Sequence, residues 1–279
     1  MNRIRIRPQF SAALAEVWLR ALNISRYPGE IFMEVVIPIV LAAMPLLLGR
    51  SIGSQAAANF EANVGTANYV AYLLIGSNAF MLVSSSLWHV AYWLRFEQET
   101  GTLEAIYLTP TSSLTLAAGV AAFSALRSLT ANLAAYVLGC LIFQVNPFQG
   151  DLLLALVFIL AGLIPLFGVS FLFGALVLRV KESNSLVGLM QWVVSLLMGI
   201  WFPVLALPPL VRALAFLFPP TWMVNGVRSA LLGVGFFFGA WYRDLAVLWV
   251  FILIVPLFSV WVFQRVESSV RRNEGMGEF

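Results

Sequence analysis

The chain reads as an all-α integral membrane protein. Six transmembrane helices are expected, with an N-terminal interfacial helix, a polar cytoplasmic segment after the second span, and external re-entrant helices before the last. Three observations predict this. Of its residues 61% are hydrophobic and 10% charged, where soluble domains carry roughly 25% charged residues. Several apolar runs reach the about 20 residues that a helix needs to cross a bilayer. Those runs are continuous, whereas a β-barrel shows short alternating strands. The chain is expected to be a single domain over 1–279: a cytoplasmic or interfacial N-terminal part (1–30), the six-span bundle (31–263) and a cytoplasmic tail (264–279).

Arg3, Arg5 and Arg7 could pass for the basic start of a signal peptide, but Glu16, Arg20 and Arg26 break the apolar run that should follow. Leu14, Val17, Trp18, Ala21 and Leu22 recur at helical spacing, with Glu16, Arg20 and Asn23 on other faces. That pattern fits an amphipathic helix on the cytoplasmic membrane surface; the plainer reading is a solvated helix packed on the protein.

The six spans fall at 31–49, 69–90, 114–145, 152–178, 186–203 and 245–263. The third would be near 48 Å as straight helix, longer than a hydrocarbon core of about 30 Å, so it must tilt, kink or project into the cytoplasm. Residues 146–151, Asn-Pro-Phe-Gln-Gly-Asp, are a turn by composition and make spans three and four an antiparallel hairpin. Residues 204–243 are apolar but cut by Pro208-Pro209 and Pro219-Pro220. Charge parity decides how to read them. With six spans and the N-terminus inside, the inner segments hold Arg3, Arg5, Arg7, Arg20, Arg26, Arg95, Arg179, Lys181, Arg265, Arg271 and Arg272, against Arg50, Arg212, Arg228 and Arg243 outside. This obeys the positive-inside rule, and a seventh crossing would break it. Residues 204–243 are therefore read as a re-entrant or interfacial helical pair on the outer side, buried in protein or lining a cavity as such backbone must be. Trp201, Trp222 and Trp241 fall near the outer interface and Trp88, Trp93 and Trp261 near the inner one, as an aromatic belt.

The segment 95–110, Arg-Phe-Glu-Gln-Glu-Thr-Gly-Thr-Leu-Glu-Ala-Ile-Tyr-Leu-Thr-Pro, is a polar, acid-rich island between two long apolar runs. Arg95 to Glu99 should continue the second span as a polar helix, and Gly101 is a C-terminal stop for it. Thr102 can cap a second short helix with Glu104 in its first turn. Pro110 ends that helix, because the residue before a proline avoids the α region. The product is a stiff helix–break–helix element with Leu103, Ile106, Tyr107 and Leu108 as apolar contact surface. On spacing alone, a solvated loop whose charges keep it out of lipid explains it equally well.

This island resembles the coupling segment of ABC-2 type transporter permeases, the membrane subunits of ATP-driven exporters. Their pattern of a Glu-rich helix, Gly-Thr-Leu-Glu, a few apolar residues and Thr-Pro is met by Glu97 and Glu99, by Gly101, Thr102, Leu103 and Glu104, and by Thr109 and Pro110. The resemblance implies that this segment, Arg95 included, contacts a separate ATP-binding subunit. It also implies a second permease copy, identical or a sister chain, with the pathway between the two. The substrate it implies is amphipathic, drug-like or lipid-linked, and moves outward. ATP and Mg would be held by the partner, with no cofactor on this chain. No G-x-x-x-x-G-K-[ST] loop is present, and Lys181 lacks a glycine cradle. A multi-pass protein of the cell membrane is expected, in contact with lipids and with no nucleic acid. A second contact with the ATPase could come from residues 179–185, which read equally as a plain positive-inside loop.

Arg127 is the charge that stands out inside a span. It reads either as part of a hydrogen-bond network between helices or as a gate or anionic-headgroup contact. If the third span projects into the cytoplasm, Arg127 lies nearer the inner leaflet. Asn78 and Ser84, Ser85 and Ser86 make the second span polar, for close helix packing or for lining a pore. Arg127, Asn78 and Ser85 are thus the candidate pathway or gate residues. His89 reads as an interfacial polar residue. Glu30 and Glu34 sit where a carboxylate suits a helix N-terminus, and no chemistry is assigned to them. Cys140 is a small packing residue. An ion-coupled secondary transporter or channel is the alternative; it would usually show several intramembrane carboxylates or an inverted repeat. A membrane enzyme would need a His, Asp and Glu constellation that two aspartates and one histidine do not supply.

Overall fold

The computed structural model describes residues 14–15, 17–19, 21–22, 26, 29–52, 60, 62, 64–66, 68–101, 113–177 and 183–273. Among the described residues the helices are, in order, α1 (Gly29–Ile52), α2 (Tyr69–Glu99), α3 (Ser113–Phe143), α4 (Leu152–Val177), α5 (Ser183–Met198), α6 (Pro209–Phe216), α7 (Pro219–Leu232) and α8 (Trp241–Asn273), with a short 3-10 turn at Val204–Ala206. The described residues contain no strand. Within 14–22 the described residues are helical, and Leu14, Trp18 and Leu22 on one face are exposed.

Five helices are long and apolar enough to cross a bilayer: Gly29–Leu48, Tyr69–Trp93, Leu114–Phe143, Leu152–Val177 and Trp241–Val266. They differ sharply in burial, with 83% of the α2 window buried against 17% for α1 and 11% for α8. So α2 is the centre of the bundle. It packs on α1 and α3 on one flank and on α4 and α7 on the other, and α8 lies outside α4. This explains why α2 carries Ser77, Asn78, Ser84, Ser85 and Ser86: facing protein, they never meet lipid. Ser77, Asn78, Ser85 and Ser86 reach carbonyls one turn back, at Leu74 and Leu82.

The face that α3 turns inward is a stripe of small residues. Ala117, Ala121, Ser124, Ser128, Ala131 and Ala135 follow one another at steps of four and three and are all buried. In lipid no hydrophobic force drives helices together, so close backbone approach through small side chains does the work. Larger side chains fill the remaining junctions. Leu82, Val83, Leu87, Leu166, Met198 and Met223 form one cluster among α2, α4, α5 and α7. Ala42, Leu46, Leu73, Leu74 and Cys140 form another where α1, α2 and α3 meet.

The 146–151 turn falls where composition predicts it. Asn146 Oδ1 accepts from Phe148 N at 3.0 Å, and Asp151 Oδ1 caps α4 by accepting from Leu154 N at 2.9 Å. The Asp151 N–H donates to Ala230 of α7 at 2.9 Å, so this hairpin end is docked on the bent pair.

Two expectations need correction. The fifth span does not run as helix over 186–203: α5 stops at Met198, and Gly199 takes φ +59. Its 16 residues rise about 24 Å, less than the about 30 Å core. The aromatic belt is also incomplete. Trp222 is buried, donates Nε1–H to Phe216 O at 2.8 Å and meets Phe237 edge-on. Trp93 is buried among Ala117, Phe171 and Phe263. These two rings are core, whereas Trp241 and Trp261 are exposed. The interrupted region 204–243 does form a helical pair, α6 and α7, bent by 89°. Its second helix starts on Pro219-Pro220 rather than being broken by them, because proline suits the first helical position. It ends at Gly233, φ +68.

Candidate functional site

The acid-rich island begins as the sequence predicts. Arg95, Glu97 and Glu99 lie on the last turns of α2, which runs on unbroken from the apolar span. Thr100 closes the helix, its N–H and hydroxyl both directed to Phe96 O at 3.0 and 2.7 Å. Gly101 then adopts φ +72 in open space. Only the left-handed backbone, not crowding, calls for glycine there. Thr102, Leu103, Glu104, Thr109 and Pro110 lie outside the described residues, as does most of the 179–185 turn.

The Arg127 site is a cluster joining three helices. Arg127 Nη1 donates to Glu30 Oε2 at 2.9 Å and Nη2 donates to Glu34 Oε1 at 2.6 Å. Nη2 also meets His89 Nε2. His89 Nδ1 lies 2.5 Å from Ser85 O. With Nδ1 facing a carbonyl and Nε2 facing a guanidinium, the ring fits the tautomer protonated on Nδ1. Ser85 Oγ bridges Ser128 Oγ at 2.7 Å and Leu82 O at 3.1 Å. Arg127 and Glu34 are mostly enclosed, with side chains 10% and 12% exposed, while Glu30 is 62% exposed.

Sequence reading left these carboxylates without a role and treated Arg127 as the clear intramembrane charge. Glu34 is its close buried counter-ion. The reading missed them because the partners are 93 and 97 residues away. A usable signal was present: Glu30 and Glu34 are one turn apart on one face, as two ligands of one cation must be. Paired in this way, both Nη atoms of Arg127 meet partners within the protein.

The cluster also gives the relative height of the helices. Arg127 sits opposite the first two turns of α1. From there α3 extends 14 residues back to Ser113, and α2 extends 10 residues on from His89 to Glu99. At 1.5 Å per residue the α2–α3 hairpin therefore runs about 15–21 Å beyond this cluster, and so past the start of α1. Arg127 thus divides the 31 residues of α3 into 14 on the hairpin side and 16 towards Phe143.

Arg228 of α7 is a second internal charge, which charge counting had placed in an outer segment. It is 2% exposed. Its Nη1 donates to Gly199 O at 2.8 Å, and its Nη2 donates to Ile200 O at 2.7 Å and Tyr72 O at 3.2 Å. Gly76 leaves the space: a Cβ there would strike both the guanidinium and Ile200 O. Asp244 is likewise buried rather than an outer surface charge. It accepts from Phe237 N and Phe238 N at 2.8 and 2.9 Å, fixing the loop that enters α8.

Of the candidate pathway residues, Arg127 and Ser85 belong to one hydrogen-bonded cluster. Asn78 stands apart from it, about two turns up α2. It borders a cavity of about 300 Å³ among α2, α3, α4 and α7. Among the described residues no group of His, Cys, Asp and Glu could hold a metal ion.

No curated protein matches the chain. Residues 48–261, well over half of it, match the family described as ABC-2 family transporter protein. The match begins after Glu30 and Glu34, so the counter-ions of Arg127 lie N-terminal to the matched region. With five or six apolar helices of spanning length, no strand among its described residues and this match across the bundle, the chain belongs to the ABC-2 transporter family.

Proposed function

We propose that this chain is the membrane-spanning permease subunit of an ATP-driven exporter. It forms the path for an amphipathic, drug-like or lipid-linked substrate and works with a separate ATPase subunit that holds ATP and Mg. Two permease copies, identical or sister chains, enclose the path. The N- and C-termini are cytoplasmic, α5 and the non-helical residues 199–203 together complete the six spans, and the α6–α7 pair is a re-entrant element on the outer side.

One observation carries the coupling role. The α2–α3 hairpin projects past the start of α1 as two continuous helices, and the acid-rich segment 95–110 joins their ends. Continuous helix is stiff, so a push on that segment is passed along α2, the central helix of the bundle, rather than absorbed in a loop. The small-residue seam between α2 and α3 makes the two move together. Arg95, Glu97, Glu99, Gly101, Thr102, Leu103, Glu104, Thr109 and Pro110 are the proposed contacts with the ATPase. Arg127 holds the hairpin to α1 through Glu30 and Glu34, and Ser85 ties α2 to Ser128 of α3 at the same level.

Co-purification with a Walker-type ATPase, and ATP hydrolysis that rises with substrate, test the reading. Changing Gly101 and Glu104 together is expected to leave membrane insertion intact and separate hydrolysis from transport. An ion-coupled carrier is the competing reading, favoured by the enclosed Glu34 and His89. It predicts flux driven by a proton or cation gradient in liposomes holding this chain alone.

A further inference from the structure

We propose that the cavity among α2, α3, α4 and α7 is a binding site for one acyl chain of a bilayer phospholipid. Its place in the bundle fixes what can enter. The floor is buried protein: Ile75 and Leu82 of α2, Met223 and Val224 of α7. The rim is exposed, with Leu133 on α3 and Leu156 on α4. These two helices scarcely touch each other over their length. The mouth therefore opens sideways between two spanning helices, and what lies outside it at that depth is hydrocarbon.

The shape suits a chain. On α3 the lining runs from Leu129 to Val137, and on α4 from Leu152 to Ile159. Each stretch is about 10–12 Å along the helix axis. The cavity is thus a slot parallel to the helices, beginning at Phe148 in the 146–151 turn. At about 300 Å³ it stands at the low end of ligand-cavity volumes.

The chemistry excludes a headgroup. No charged residue lines the slot. The amides of Asn78 and Asn132 give Nδ2–H to Leu74 O and Ser128 O at 2.8 and 2.7 Å, and their Oδ1 atoms are enclosed. Those two Oδ1 atoms are without a hydrogen-bond partner among the described residues, the rest of the lining is almost wholly apolar, and hydrocarbon is the medium at its mouth. Occupancy would wedge α3 from α4 and brace the α7 floor, so the occupant is a structural lipid, independent of whether ATP drives the protein.

The test uses the full chain in nanodiscs of phosphatidylcholine carrying a diazirine near the end of one acyl chain. After irradiation, labelled residues are read by peptide mass spectrometry. Met223 and Met198 are both 1% exposed, but only Met223 lines the slot. Labelling of Met223 at fivefold or more over Met198 is expected. Ala155→Phe and Ala79→Phe fill the slot from opposite walls. Each is expected to cut Met223 labelling at least fivefold while leaving Leu257, exposed on α8, unchanged. Equal labelling of Met223 and Met198 overturns the proposal, and needs no variant to fold. So does unchanged labelling in either variant that elutes as a folded species. Disulfide cross-links between two copies carrying Leu133→Cys or Leu156→Cys would show a second chain over the mouth and overturn the proposal. Labelling of Met223 only during ATP turnover with the ATPase present would make the occupant cargo in transit.

Discussion

The guanidinium of Arg228 lies 3.5 Å over the ring centroid of Tyr72, in the same pose that delivers its nitrogens to the carbonyls of Gly199, Ile200 and Tyr72. One side chain of the bent pair thereby holds the central helix and the end of α5 together. The carbonyls it meets after α5 belong to Gly199 and Ile200, in the non-helical backbone just past the helix end. A cation at a helix C-terminus is also favoured by the dipole. In a bilayer, where water cannot serve those groups, this contact lets α5 end short of a full crossing.

Arg228→Met keeps the bulk and removes the donors. Each buried acceptor left unserved costs about 1–3 kcal/mol, so a loss of about 2–6 kcal/mol is expected for the Gly199 and Ile200 carbonyls together. Arg228→Lys recovers little, because an ammonium cannot reproduce a planar fork over an aromatic ring. Gly76→Ala is expected to act through the same contact. In thermal unfolding of purified protein, Gly76→Ala with Arg228→Met should lower stability by less than the sum of the two single changes.

Arg127 and Glu34 form a mostly enclosed pair, so removing one partner strands the other. Arg127→Leu is expected to destabilise by about 3–5 kcal/mol, the range for breaking a buried pair. Arg127→Gln combined with Glu34→Gln should recover most of that loss, since no lone charge remains. Glu30→Gln should cost under about 1 kcal/mol, because Glu30 is 62% exposed and water screens its charge. A double-mutant cycle read by unfolding midpoint checks all three. A fully stable Arg127→Leu would refute the structural weight given to this cluster.

Gly101 tests the elbow itself. Its φ of +72 is open to asparagine but strained for a β-branched residue. Gly101→Asn is expected to retain substrate-stimulated ATP hydrolysis and transport. Gly101→Val is expected to insert normally and to lose transport at least tenfold relative to hydrolysis. No described residue lies within 4 Å of a Cβ there, so the backbone conformation is the expected cause of that difference.

Residues close in sequence were legible, and residues joined across the fold were not. The long apolar runs locate α2, α3, α4 and α8 within a few residues of their cores, and the Asn-Pro…Gly-Asp composition marks the turn before α4. Gly101 could be read as a helix stop because the signal is a single residue with one backbone demand. Gly199 sits inside an apolar run with nothing polar near it, so the end of α5 was invisible: its cause, Arg228, lies 29 residues on. The pairing of Arg127 with Glu30 and Glu34 was hidden for the same reason. Tryptophans 93 and 222 were misread as interfacial because position along a span does not say which face looks inward. The Ala and Ser stripe of α3 could have been found from its steps of four and three, which keep one face turned to a partner helix.

The orientation in the membrane gives the last prediction. Thr100 and Asn146 are exposed at opposite ends of the α2–α3 hairpin, and the orientation proposed from the excess of arginine on the segments shared with the N-terminus puts the Thr100 end inside. Cys140 is fully buried, and an inaccessible thiol does not react, so the native chain is its own blank. A membrane-impermeant maleimide applied to intact cells should label Asn146→Cys and leave both Thr100→Cys and the unmodified chain unlabelled. In inside-out vesicles the pattern should reverse, with Thr100→Cys labelled and Asn146→Cys protected. If Thr100→Cys reacts from outside, the acid-rich elbow faces away from any ATP-binding partner and the coupling role falls. That result would leave the cluster at Arg127 and the lock at Arg228 intact, because both are properties of the bundle and neither depends on which side is in.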